Sequence, residues 1–177
     1  MRIDIDKMND ILISTGLITP EKTSRLNSCL QDRSIDASFE ILFQCGEDPP
    51  RPAGDGKLSA SIDRMRRILQ STSDDMICNM QKNSDKKMKT VIGIYLYLAH
   101  LLHYSKPFLV SSVSLRMVEL TMRTGLSAES PLAFVHFGGV LVMSGCVQEG
   151  CRLGKTEWKL HRRIYFFLTL LCCIIFA

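Results

Sequence analysis

Residues 145–156 read GCVQEGCRLGKT and follow the apolar run GGVLVMS, an order that invites comparison with a phosphate-binding loop. Such a loop needs a glycine, four free residues and then Gly-Lys-Ser/Thr, so that successive backbone N–H groups wrap the phosphates while the lysine reaches them. Gly150 and Gly154 enclose only Cys151, Arg152 and Leu153. The nest is one residue short, and its glycines mark the points where the backbone must turn. No run of four apolar residues ending in aspartate offers a magnesium-holding strand, and no Gly-x-Gly-x-x-Gly follows a strand. The same spacing stacks the two glycines on one helix face, where a neighbouring helix can approach closely, and leaves Lys155 in solvent.

His100 and His103 stand three apart and could be imagined as metal ligands on one helix face. No Asp, Glu or Cys lies nearby to complete the set, so they read as core or helix-end histidines. Seven cysteines, at positions 29, 45, 78, 146, 151, 172 and 173, show neither a Cys-x-x-Cys pair nor zinc-ligand spacing. On a helix, Cys146 and Cys151 would point to different faces. The polar start MRIDIDKMND is unlike a signal peptide, so the thiols are expected to be reduced and to fill core positions in the cytosol. No catalytic, cofactor-binding or metal-binding residue is assigned, and no cofactor is expected.

The 177 residues suffice for one domain with a core, and 46% hydrophobic with 23% charged residues is an ordinary balance for a folded chain. A net charge of +4 is too small to argue for nucleic acid, and the basic residues are scattered rather than gathered with aromatics into a stripe. Helix signals recur throughout, and convincing strand signals do not. Thr19-Pro20-Glu21 reads as a cap followed by proline, opening a helix to about Gln31. Ser34 is expected to cap a second, with Ile35, Phe39, Leu42 and Phe43 as its apolar stripe and Gly46 as its stop, so that residues 1–45 form N-terminal helical hairpins. Residues 46–56, GEDPPRPAGDG, cannot propagate a helix and form a connector.

Residues 57–163 read as a helical repeat region. Leu58, Ile62, Met65 and Leu69 face inward with Arg64, Arg66 and Arg67 largely outward. Ser73-Asp74-Asp75 starts another helix. From Ser84, SDKKMK gives a cap and polar turn before TVIGIYLYLAHLLHY, which is apolar nearly all round and therefore expected to be buried on several sides. Pro107 begins the next helix, where Val110, Val113, Met117 and Leu120 alternate with Ser112, Arg116, Glu119 and Arg123 until Gly125. Ser130-Pro131 repeats the cap-plus-proline start, and the helix runs to Gly145. The expected fold is all-α, with antiparallel hairpins stacked as a solenoid fragment. Phe134, Phe137, Gly138, Leu141, Gly150 and Gly154 fall at offsets resembling the bulky and small positions of a tetratricopeptide repeat.

SLRMVELTMRTGLSAESPLAFVHFGGVLVMSGCVQEGCRLGK also resembles the helical region that follows the AAA-type predicted ATPase module in large proteins combining a serine/threonine kinase-like domain, that ATPase and often a sensor histidine kinase. The resemblance rests on Arg116-Met117-Val118, on the Gly-x-Ser-x-x-Ser-Pro turn from Gly125 to Pro131, on Gly138, and on the segment from Gly150 to Lys155. Cys151 and Leu153 stand there in place of aromatic residues. Upstream, residues 74–120 and the ASFEILFQCGEDPP stretch resemble the preceding helices, so the likeness covers roughly residues 24–156. It implies a non-catalytic scaffold that binds protein partners or neighbouring domains, detached from a larger signalling protein or truncated.

After Lys155 the family pattern is lost. The apolar tail 164–177 would span about 21 Å as a helix against about 30 Å of hydrocarbon. That is short for a span, although Lys159, Arg162 and Arg163 could hold a tail anchor at an anionic surface. A cytoplasmic scaffold, open to self-association, is the expected function. A tail-anchored membrane adaptor and a small nucleotide-binding protein are the alternatives.

Overall fold

A computed structural model describes residues 20–48, 50 and 56–164. Their regular structure is α1 (Pro20–Gln44), α2 (Lys57–Ser71), α3 (Asp74–Cys78), α4 (Lys86–Ser105), a 3-10 turn (Pro107–Leu109), α5 (Val110–Thr124), α6 (Ser130–Met143) and α7 (Val147–Ile164). Among the described residues no strand forms, and an isolated parallel bridge joins Lys82 to Leu126. The fold is all-α.

The helix ends follow the local chemistry closely. Gly46 takes a φ of 79°, its N–H reaches Phe43 O at 2.9 Å, and Glu47 N–H reaches Leu42 O at 3.0 Å, which closes α1 with a left-handed glycine turn. Gly145 ends α6 in the same way, with φ 85° and Cys146 N–H donating to Leu141 O at 2.8 Å. Ser73 caps α3 by accepting from Met76 N–H at 3.2 Å. Asp85 caps α4, its carboxylate accepting from Lys87 N–H and Met88 N–H at 2.8 and 3.2 Å. Pro107 opens a 3-10 turn that runs into α5.

Three expectations change. Residues 20–44 form one continuous helix, so the described part of 1–45 is not a hairpin. Ser34 lies inside it, and its carbonyl accepts from Ser38 Oγ at 2.8 Å. Neither Gly nor Pro separates Gln31 from Ser34, so nothing forces the ladder to break. The Thr19 cap lies outside the described residues. Ser130 is the first residue of α6 rather than its cap: its hydroxyl accepts from Ser127 N–H at 2.9 Å and lies 3.4 Å from Thr121 Oγ1. The hydroxyl therefore braces the α5–α6 turn. Finally, α4 buries Val91, Ile92, Tyr95, Leu98, Ala99 and Leu102 but leaves Tyr97 and Tyr104 at 52% and 85% exposure. One long face of this apolar helix is open.

Helices α4, α5, α6 and α7 pack each on the next, α1 lies against α4, α2 against α5, and α3 against α7. Tyr95, Leu98 and Leu102 from α4, Met117 and Leu120 from α5, and Phe134, Phe137 and Leu141 from α6 fill the shared core. Leu153 and Leu160 close it from α7. No helix among the described residues is long and apolar enough to cross a membrane, and the tail proposed as an anchor lies almost entirely outside them.

Candidate functional site

The segment that resembles a phosphate loop is helical throughout, within α7. Gly150 N–H donates to Cys146 O at 3.1 Å, and Thr156 is buried with its hydroxyl donating to Arg152 O at 3.0 Å. These groups serve the helix and form no anion cradle. A Cβ placed on Gly150 would meet Gly138 O at 2.5 Å and Val142 Cγ2 at 2.6 Å, and one on Gly138 would meet Gly150 O at 2.9 Å. The α6–α7 hairpin thus closes backbone to backbone at this pair. Gly154 departs from the expectation, since a Cβ there would meet nothing within 4 Å. Two helices approach most closely over a limited stretch, and the next turn of α7 lies outside it.

Arg152, inside the same segment, closes a different joint. Its guanidinium donates to Leu69 O at 2.6 Å and Thr72 O at 3.0 Å, and lies 3.3 Å from the Asp74 carboxylate. It adds a donor to Leu69 O, which already accepts from Thr72 N–H at 3.2 Å, and to the carbonyl of the cap residue Thr72, and it holds the start of α3. Arg66, expected outward, is half-buried and donates to Cys146 Sγ at 2.9 Å. Cys45, Cys78, Cys146 and Cys151 are not joined in disulfides, and exposed Cys151 is not the core filler the sequence suggested.

A polar lock stands at the other side of the core. Glu47, 7% exposed, accepts from Arg116 Nε and Nη2 at 2.9 and 2.7 Å on its Oε2, and the Tyr95 hydroxyl donates to that oxygen at 3.5 Å. Arg116 also donates to Glu119 at 3.1 Å. The turn after α1 is thereby tied to both α4 and α5. Burial, then the neighbouring Glu47 carboxylate, pushes the Tyr95 phenol up to about 12. The periodicity of α5 put Arg116 on its outer face, and only the arrival of Glu47 makes it a partner.

The open face of α4 continues into a groove of about 530 Å³ between α4 and α1. Ile41 comes from α1, and Gly93, Ile94 and Tyr97 from α4, with Lys89 and Glu129 at one end. Ile41 and Tyr97 are 46% and 52% exposed, and a Cβ on Gly93 would meet nothing within 4 Å, so the floor is open. Lys89 and Glu129 also line a neighbouring depression of about 770 Å³ that reaches Asn79, Asn83 and Leu126. At this junction Glu129 Oε2 is shielded from solvent without a hydrogen-bond partner. A buried carboxylate oxygen left unpaired is costly, and a donor brought by a ligand would relieve it. No motif announced this surface; the apolar excess of α4 was the signal that could have.

His100 and His103 are exposed near the end of α4 and belong to no core. His136, which the sequence did not single out, comes from α6 to meet His100 edge to face, with ring centroids 5.2 Å apart. Burial, then the proximity of His100 and His103, lowers the His136 imidazole to about 4. No group of three or more His, Cys, Asp or Glu residues suited to a metal ion forms among the described residues. Comparison of the chain with protein-family models, with curated proteins and with solved structures returns no match.

Proposed function

We propose that the chain is a non-catalytic helical scaffold that binds a partner protein through the groove between α1 and α4. The observation that carries this reading is the open, apolar groove floor ending at the unpartnered Glu129 carboxylate oxygen. An amphipathic helix fits that chemistry: an apolar stripe would cover Ile41, Ile94 and Tyr97, and a lysine or arginine would donate to Glu129. Gly93 leaves room for it to approach. The helix-on-next-helix order from α4 to α7 supports a stacked, solenoid-like array related to tetratricopeptide hairpins. The resemblance over residues 24–156 suggests that the partners are modules of a multidomain ATPase and sensor-kinase system. Cys45, Cys78, Cys146 and Cys151, which are not joined in disulfides, favour the cytosol.

A photocrosslinking residue placed at Tyr97 tests the reading, with exposed Lys155 as the control position. The expected result is a discrete adduct from Tyr97 alone, lost when Gly93→Trp fills the floor. Equal labelling at both positions would remove the groove as the docking site. An adduct with a second copy would make self-association its use. Because α7 places Gly150–Thr156 in a helix, the purified chain is expected not to turn over ATP with magnesium. Turnover abolished by Lys155→Ala would overthrow the scaffold reading.

A further inference from the structure

Helices α2 and α5 border a cleft of about 360 Å³, distinct from the groove between α1 and α4. Residues three, four and seven apart share a helix face, so α2 presents Arg64, Met65 and Ile68 to the cleft and α5 presents Arg116, Glu119, Met122 and Arg123. Met65 is buried, Met122 partly buried and Ile68 exposed, which makes an adaptable apolar floor. Three guanidiniums line this cleft with one carboxylate, Glu119, because the Glu47 carboxylate that also neutralises them is itself buried. Arg116 spends its donors on Glu47 and Glu119. Arg123 is exposed and reaches Glu47 Oε1 only at 3.9 Å. Arg64 is exposed and makes no hydrogen bond or ion pair with a described residue. A cleft of this volume measures about 9 Å across as a sphere, comparable with a Debye length of about 8 Å, so the lining charges act on one occupant together.

We propose that the α2–α5 cleft binds an acidic segment of a partner protein, a glutamate or aspartate carboxylate pairing with Arg64 beside the charge of Arg123 and an adjacent apolar side chain covering Met65, Ile68 and Met122. Arginines recognise acidic motifs through planar, bidentate hydrogen bonds, and a guanidinium whose donors face only water gives up no protein contact to make them. A phosphate dianion calls for several uncommitted guanidiniums, and Arg116 is already committed to two carboxylates. A carboxylate needs one free fork and a neighbouring positive charge. The apolar floor supplies the other half of the recognition, since an acidic segment without an apolar side chain leaves Ile68 in water.

Fluorescence anisotropy of the full chain with a labelled peptide of repeated Glu-Glu-Leu tests the proposal, with repeated Lys-Lys-Leu and Glu-Glu-Ser as controls. The leucine-containing acidic peptide is expected to bind, the serine version more weakly and the lysine version not at all. Arg64→Glu should weaken binding about tenfold and Arg123→Gln about threefold, while Lys155→Glu, the same charge change at an exposed position of α7, should leave Kd unchanged. Arg64 has no described partner to lose, so its variant is expected to keep the wild-type Tm, and Arg116 stays in place to hold Glu47. No binding of the Glu-Glu-Leu peptide overturns the proposal. So does equal weakening by Arg64→Glu and Lys155→Glu, which would make binding a response to net charge, and so does equal affinity for the leucine and serine peptides, which would leave the floor unused. A dimer that Arg64→Glu dissociates, with no peptide bound, would give the cleft to a second copy and overturn it as well.

Discussion

The α6–α7 hairpin and the Glu47–Arg116–Tyr95 lock both hold helices together, by opposite means. In the hairpin, contact comes from missing side chains: Gly138 and Gly150 bring two backbones to a separation that a single Cβ would violate. In the lock, contact comes from a carboxylate that has left water and is held by the Arg116 guanidinium and the Tyr95 phenol, with Arg123 3.9 Å from its other oxygen. The first joint is local in sequence, with 12 positions separating its glycines. The second spans 69 positions. Packing by omission tolerates no added bulk, whereas a buried charge tolerates no lost partner.

That contrast predicts a ranking. Arg116→Ala leaves a carboxylate that is 7% exposed with only the long Tyr95 and Arg123 contacts and should destabilise by about 3 kcal/mol in urea unfolding, the lower end for a buried pair because Arg116 itself is partly wet and Arg123 remains. Arg116→Met combined with Glu47→Gln should recover much of it. A single mutant as stable as wild type would show that the lock is only decorative. Gly150→Leu should cost about 1–3 kcal/mol by forcing α6 and α7 apart. An unchanged melting temperature would break the proposed close contact.

The lock also has a pH signature. Tyr95 ionises near 10 in the unfolded chain and near 12 in the fold. The unfolded state therefore loses its proton first, and stability is full below pH 10 and lost as pH rises towards 12. The loss should be about 1–2 kcal/mol after screening is allowed for. Ultraviolet titration should show one of the four tyrosines ionising late, and Glu47→Gln should bring that step closer to 10. Four tyrosines titrating together would place Tyr95 in solvent. The smallest effect has the opposite sign. Gly154→Ala should stabilise by about 0.5–1 kcal/mol, since its Cβ meets nothing and alanine is the better helix former. Paired with Gly150→Ala, which should destabilise, it separates close contact from helix propensity within one α7 face.

Much of the helical layout was legible because caps, prolines and glycine stops act over a few residues. Ser73, Pro107, Gly46, Gly125 and Gly145 all stand at element ends. The split of α1 at Ser34 was misread because a serine that can cap can equally donate to its own helix or sit within it, and no breaker forces the choice. Gly138 and Gly150 were recognised from spacing, but Gly154 shared that spacing without sharing the contact. Arg66, Arg116 and Arg152 were read as solvated or left as motif letters, because a period assigns a face to a residue and not a partner. The groove was hidden for a related reason. An apolar helix surface announces burial without saying which side its own chain leaves uncovered.

The sequence by itself determined an all-α chain, the ends of most helices and the failure of the phosphate loop, since each depends on neighbours along the backbone. The tertiary structure alone decided that Glu47 meets Arg116, that Arg152 closes the α2–α3 joint, that His136 meets His100, and that α4 keeps an open flank beside Ile41. These pairings join positions brought together by helix packing. Their energies depend on desolvation and on distances of a few ångströms, which no local pattern encodes.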